Sequence, residues 1–127
     1  MSTPIRAALV PGSKLLPLTK DGVQALKREH RRMLDDGIRD AFADSLELDE
    51  AVREGHDQDN RWDYLLGHEP SQDIVGLEPH GAKNDEISTV IRKRQAALDQ
   101  LRPHLKPGRH VRRWFWVASG KVDFTRS

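Results

Sequence analysis

Between Asn84 and Leu105 runs a long amphipathic stretch, with a strand-like segment on either side of it. Ile87, Val90, Ile91, Leu98, Leu101 and Leu105 follow the three- and four-residue spacing of one helix face, while Ser88, Arg92, Gln95 and Asp99 fall outward. Asn84 suits the N-cap. Pro103 limits the regular helix to about residue 102, and Pro107-Gly108 ends the segment. The run His110-Val111-Arg112-Arg113-Trp114-Phe115-Trp116-Val117-Ala118 is the strongest strand candidate in the chain, being rich in β-branched and aromatic residues. Ile74-Val75-Gly76-Leu77-Glu78 is a shorter one ahead of the helix. Strand, long helix, strand is a crossover unit, so the two strands are expected to lie parallel in one sheet.

A further apolar segment, Trp62-Asp63-Tyr64-Leu65-Leu66, precedes the turn-like His68-Glu69-Pro70-Ser71-Gln72. Together with 74–78 it reads as a β-hairpin. If the turn is centred on Pro70-Ser71, the numbers of antiparallel partners add to 141, which sets Asp63 opposite Glu78. Side chains so paired lie ~4.5–5.5 Å apart at Cβ. Arg61 and His80 share a face because strand side chains repeat every two residues. The open end of the hairpin therefore gathers Asp63, Glu78 and His80. Two carboxylates at that spacing repel unless something positive sits between them. A Mg²⁺- or Mn²⁺-type site is one answer. A solvated strand end with salt bridges to Arg61 or Lys83 is the other.

Upstream, residues 1–18 hold Pro4, Pro11, Gly12 and Pro17 among small apolar residues, and read as an extended arm or a short strand, Ala7 to Val10, with no long helix. Thr19 suits an N-cap, and Val23, Leu26, His30, Met33, Leu34, Ile38 and Phe42 follow at helical spacing, interrupted at Gly37. Residues 44–60 are strongly acidic. Leu46, Leu48, Ala51 and Val52 support a short helix ending near Gly55, with His56-Asp57-Gln58-Asp59-Asn60 as a loop. At the other end, Val122-Asp123-Phe124 reads as a short returning edge strand. The whole is expected to be one α/β (α+β) domain over residues 1–127. Its core is a small mixed sheet with two main helices over 19–118, followed by a short strand or tail over 119–127.

Composition narrows the function classes. Hydrophobic residues make up 36% and charged residues 32% of 127 residues, and no run reaches the ~18–20 apolar residues of a membrane span. The N-terminus lacks the pattern of a signal peptide. There is no cysteine, which excludes disulfides and thiolate chemistry and fits a cytoplasmic protein. Charge is divided unevenly. Residues 1–82 carry 10 Lys/Arg against 16 Asp/Glu, a balance of −6, and residues 83–127 carry 11 against 4, a balance of +7. The basic third fits a nucleic-acid backbone, DNA or RNA, with Arg92, Arg112 and Arg113 as candidate contacts. It equally fits the acidic N-terminal half of the same or another chain. Trp114 and Trp116 interleaved with Arg113 suit base stacking, but strand spacing favours packing under a helix. No phosphate loop, Ser-His-Asp order or zinc pattern is present.

The order helix, acidic strand, Glu-x-His strand, helix, strand resembles the core of PD-(D/E)XK (restriction-endonuclease-like) proteins. Asp63 matches the Asp that begins one hairpin strand, and Glu78 of Glu78-Pro79-His80 matches the Glu of the Glu-x-Lys motif that ends the next. The run Leu77 to Ile87, with Val90-Ile91-Arg92-Lys93 after it, also resembles uncharacterised bacterial members of that fold. The likeness spans about residues 20–118. His80 stands where the motif lysine is expected. Some members carry that lysine on the following helix, and Lys93 or Lys83 would then supply it. Lys93 lies about two turns into the helix, so only its long side chain reaches the strand end. The resemblance implies Mg²⁺- or Mn²⁺-dependent hydrolysis of a phosphodiester, with Asp63 and Glu78 holding the metal. Lys93 or Lys83 would orient water or stabilise charge, and His80 would ligate or carry a proton. Glu86 is a further candidate carboxylate. The alternative is a catalytically inactive interaction or oligomerisation module, plausibly a homodimer.

Overall fold

The structure, a computed structural model, describes residues 2–55, 61–79 and 84–117. Its centre is a five-stranded mixed sheet in which the strands lie in chain order. The strands are β1 (Lys20–Asp21), β2 (Phe42–Glu47), β3 (Tyr64–His68), β4 (Asp73–Pro79) and β5 (Val111–Val117). The first four pair antiparallel in succession, and β4 pairs parallel with β5. Tyr64 faces Leu77 and His68 faces Asp73, so the hairpin is centred where the sequence placed it. The parallel step is made by α5 (Asn84–Leu101), followed by a single 3₁₀ turn at Arg102–His104 that contains Pro103. The α/β class, the hairpin and the crossover are therefore present as expected. His80 and Lys83, the loop 56–60 and the returning strand 122–124 lie outside the described residues, as do the side chains of Glu86 and Ile87.

Apolar residues alternate along the strands and fill both faces of the sheet. One layer holds Leu46, Leu65, Ile74 and Val111 with Ile5, Leu48, Trp62, Val90, Ala97 and Leu101. The opposite layer holds Phe42, Tyr64, Leu66, Val75, Leu77 and Val117 with Leu26 and Leu34. The inward stripe of α5 is Val90, Ala97 and Leu101. Ile91, expected on it, is 63% exposed.

Three upstream expectations are corrected. The N-terminal arm is helical where it first enters the fold: Pro4–Ala8 form a short helix, α1, with Ile5 fully buried, and of Ala7–Val10 it is Leu9 that is extended, in an isolated antiparallel bridge with Leu105. Proline suits this first helical position, where its missing N–H costs nothing. The Asp44 carboxylate on β2, itself fully buried, accepts the N–H groups of Ile5 at 3.0 Å and Arg6 at 3.1 Å. It thus caps the helix from a distant strand. Gly67 lies opposite Asp44, and any Cβ there would collide with that carboxylate.

The long helix expected from Thr19 to Phe42 is likewise replaced. Lys20–Asp21 pair with β2, and only two short helices follow, α2 (Arg28–Arg31) and α3 (Asp36–Arg39). Each begins after an extended residue, Lys27 (ψ 150°) or Asp35 (ψ 151°). The two turns repeat one device. Leu26 and Leu34 are buried, and the Nε of Arg31 and of Arg39 donates to the carbonyl of the leucine five residues earlier. Guanidinium groups thus satisfy carbonyls that a continuous helix would bond itself. The third correction concerns Leu46, which belongs to strand β2. The short acidic helix, α4, covers only Leu48–Ala51.

Candidate active site

The hairpin end and the crossover helix meet at one point. Asp63 stands just before β3, and its backbone N–H donates to Glu78 Oε1 at 3.0 Å. Glu78 is the penultimate residue of β4, a strand flanked on both sides, and it is completely buried. Lys93 projects from α5 between the inward residues Val90 and Ala97, a position three and four residues from them and so on the same helix face. Its ammonium lies 2.5 Å from Glu78 Oε2 and 3.9 Å from Asp63 Oδ1. Asp63 and Lys93 keep side-chain exposures of 26% and 18%, so the cluster opens to solvent on their side.

Burial dominates the electrostatics. Glu78 is pushed up to about 7, first by desolvation and next by the neighbouring Asp63 charge; the hydrogen bond and charge of Lys93 and the Asp63 N–H oppose this without cancelling it. On the other side of β3, at the end of β2, burial also raises the Glu47 carboxyl, to which Asp63 adds a smaller upward push. This rim of the sheet therefore gathers carboxyl groups that burial and one another make harder to ionise, and the Lys93 ammonium is the cation set between Glu78 and Asp63.

Of the residues expected here, the structure brings Asp63, Glu78 and Lys93 together. Arg61 makes an ion pair with Asp49 at 2.8 Å. Arg92 is exposed beside Lys93 and reaches Thr89. Arg112 and Arg113 sit at the start of β5, opposite Ile74–Val75, and so at the far end of the sheet from Glu78. Trp114 and Trp116 are half-buried against the α5 layer, and Trp114 packs edge-to-face on Trp62 at 4.9 Å. Gly76 makes that packing possible, since a Cβ would come within 2.5 Å of the Trp114 ring. Sequence reasoning overlooked Arg94, which follows Lys93 on α5 and lines a groove with the β5 arginines and aromatics.

The donor set can be tested against a divalent ion. Two carboxylates supply hard oxygen ligands, which suit Mg²⁺ or Mn²⁺ and not a thiophilic metal. Among the described residues no group of three or more His, Asp and Glu converges as a complete metal cage. Two carboxylates still fit Mg²⁺, which commonly takes one or two and completes its shell with water and phosphate oxygens. Among the described residues no helix is long and apolar enough to cross a membrane. Comparison of the chain with protein-family models, with curated proteins and with solved structures gave no match.

Proposed function

We propose that this chain is a metal-dependent nuclease-like protein of the PD-(D/E)XK type, hydrolysing phosphodiester bonds of nucleic acid. One observation carries the reading: a hairpin-borne Asp63 and Glu78 converge with Lys93 from the crossover helix. The parallel β4–α5–β5 arrangement that the resemblance calls for supports it.

Asp63 and Glu78 hold Mg²⁺ or Mn²⁺ in this reading. The ion supplies Lewis-acid polarisation of the phosphate and a water of lowered pKa. Lys93, fixed by Glu78, presents its ammonium to the phosphate oxygens and offsets the charge that develops on them. The buried walls around Glu78 limit water and strengthen each of these charge contacts.

The test is cleavage of fluorescent single- and double-stranded DNA and RNA with Mg²⁺ or Mn²⁺, using the wild type, Asp63→Asn and Glu78→Gln. The account expects metal-dependent cleavage by the wild type and loss in both variants. Wild-type protein inactive on every substrate, or variants as active as wild type, would reject it and leave the interaction-module reading.

A further inference from the structure

We propose that β5, the edge strand of the sheet among the described residues, binds single-stranded nucleic acid and leads it to the Asp63–Glu78–Lys93 cluster, an inference that rests on the phosphodiester reading above. A groove of about 530 Å³ follows this edge, and every described residue lining it is an arginine or an aromatic: Arg94, Arg112, Arg113, Trp114, Phe115 and Trp116. Cations that track phosphates, beside rings on which bases stack, are what single-strand binding requires. A duplex hides its base faces and offers these rings no base to stack on.

The groove is joined to the site by the fold. Trp116 is the register partner of Glu78, and Arg94 is the chain neighbour of Lys93 on α5. At ~3.3 Å per residue, Arg113 lies about 10 Å up the strand from Trp116, room for roughly three stacked nucleotides. The Trp114 ring is held from behind by Trp62, so its position does not have to be ordered on binding. A β-bulge sets the arginines. Ile74 pairs with Val111 and Val75 with Arg113, leaving Arg112 as the extra residue of β5, and both arginines are exposed. A second copy of this chain is a poorer occupant, because β5 carries no acidic residue and edge-to-edge pairing would offer its arginines no anion from that strand.

The experiment is fluorescence anisotropy of a labelled mixed-sequence oligonucleotide, single-stranded or annealed to its complement. It uses the full chain in EDTA, with tryptophan emission read in parallel. The single strand should bind more tightly than the duplex and quench tryptophan emission. With three phosphate contacts, affinity should fall about 20-fold for a fourfold rise in salt. The Arg94→Ala/Arg112→Ala double variant, its fold checked by circular dichroism, should bind about tenfold more weakly at low salt, with a salt slope reduced by roughly two thirds.

Equal or tighter duplex binding, unchanged binding by the double variant, or self-association through this edge without oligonucleotide binding would overturn the proposal. The two readings fail separately. Groove binding without cleavage under any metal would reject the nuclease reading alone. Cleavage that the double variant retains at wild-type affinity would reject the groove alone.

Discussion

Glu78 accepts an ammonium and a backbone N–H and is still hard to ionise, because complete burial outweighs both partners. An acid whose folded value lies above its ordinary one holds its proton more tightly folded than unfolded. The contribution of Glu78 to stability is therefore fully present below the ordinary carboxyl value of 4.5 and is lost as pH rises through about 7. Glu78 should contribute a slope of up to about 1.4 kcal/mol per pH unit in that window. Urea unfolding across this range should show the decline in the wild type and a flatter profile in Glu78→Gln; parallel profiles would contradict the assignment. Lys93 has a different role. Lys93→Met should keep saturable Mn²⁺ binding yet lose about 10²–10³-fold in cleavage rate, the cost of removing one donor aimed at developing charge. Loss of metal binding with it would make Lys93 merely structural. Asp63 and Glu78 were legible because hairpin register follows from the turn. Lys93 was legible as one of two lysines, and its place on the inward stripe of α5 brings it to the two carboxylates, while Lys83 lies outside the described residues.

Among the elements, α1 shows what sequence periodicity does not carry. Little more than one helical turn of proline, arginine and small apolar residues says little about a helix whose cap comes from Asp44, on β2. Asp44→Ala would leave the Ile5 and Arg6 N–H groups without their acceptor. It should cost about 3 kcal/mol, measured by denaturant unfolding, since hydrogen bonds to a buried charge are worth roughly 1.5–3 kcal/mol each. A change within about 0.5 kcal/mol would show that the cap is dispensable. The stretch 19–42 misled for a related reason. Its apolar residues recur every three or four positions, but so do those of two successive short turns. Leu26 and Leu34, each paired with an arginine five residues on, were the signal that helical spacing concealed. The crossover helix was legible because its length and apolar stripe admit no such alternative, although Ile91 showed that the stripe is narrower than the spacing suggested.

At the scale of the molecule, helices and turns cover both faces of a mixed sheet, and the chemistry gathers at one of its ends. The parallel β4–β5 pair sets Trp116 beside Glu78, and α5 above them supplies Lys93 and Arg94. The uneven charge of the chain thus has a spatial meaning. The acidic part furnishes Asp63 and Glu78, and the basic part furnishes Lys93 and the arginines of the β5 groove. In the proposed reading the paired carboxylates Asp63 and Glu78 bind a divalent ion. Calorimetric titration of Mn²⁺ and Mg²⁺ into the wild type, Asp63→Ala and Glu78→Ala, with and without a DNA oligonucleotide, tests it most directly. The account predicts one saturable event in the wild type that both substitutions abolish while the protein stays folded. Titrations silent for the wild type in the presence and absence of DNA, or binding that survives both substitutions, would contradict it.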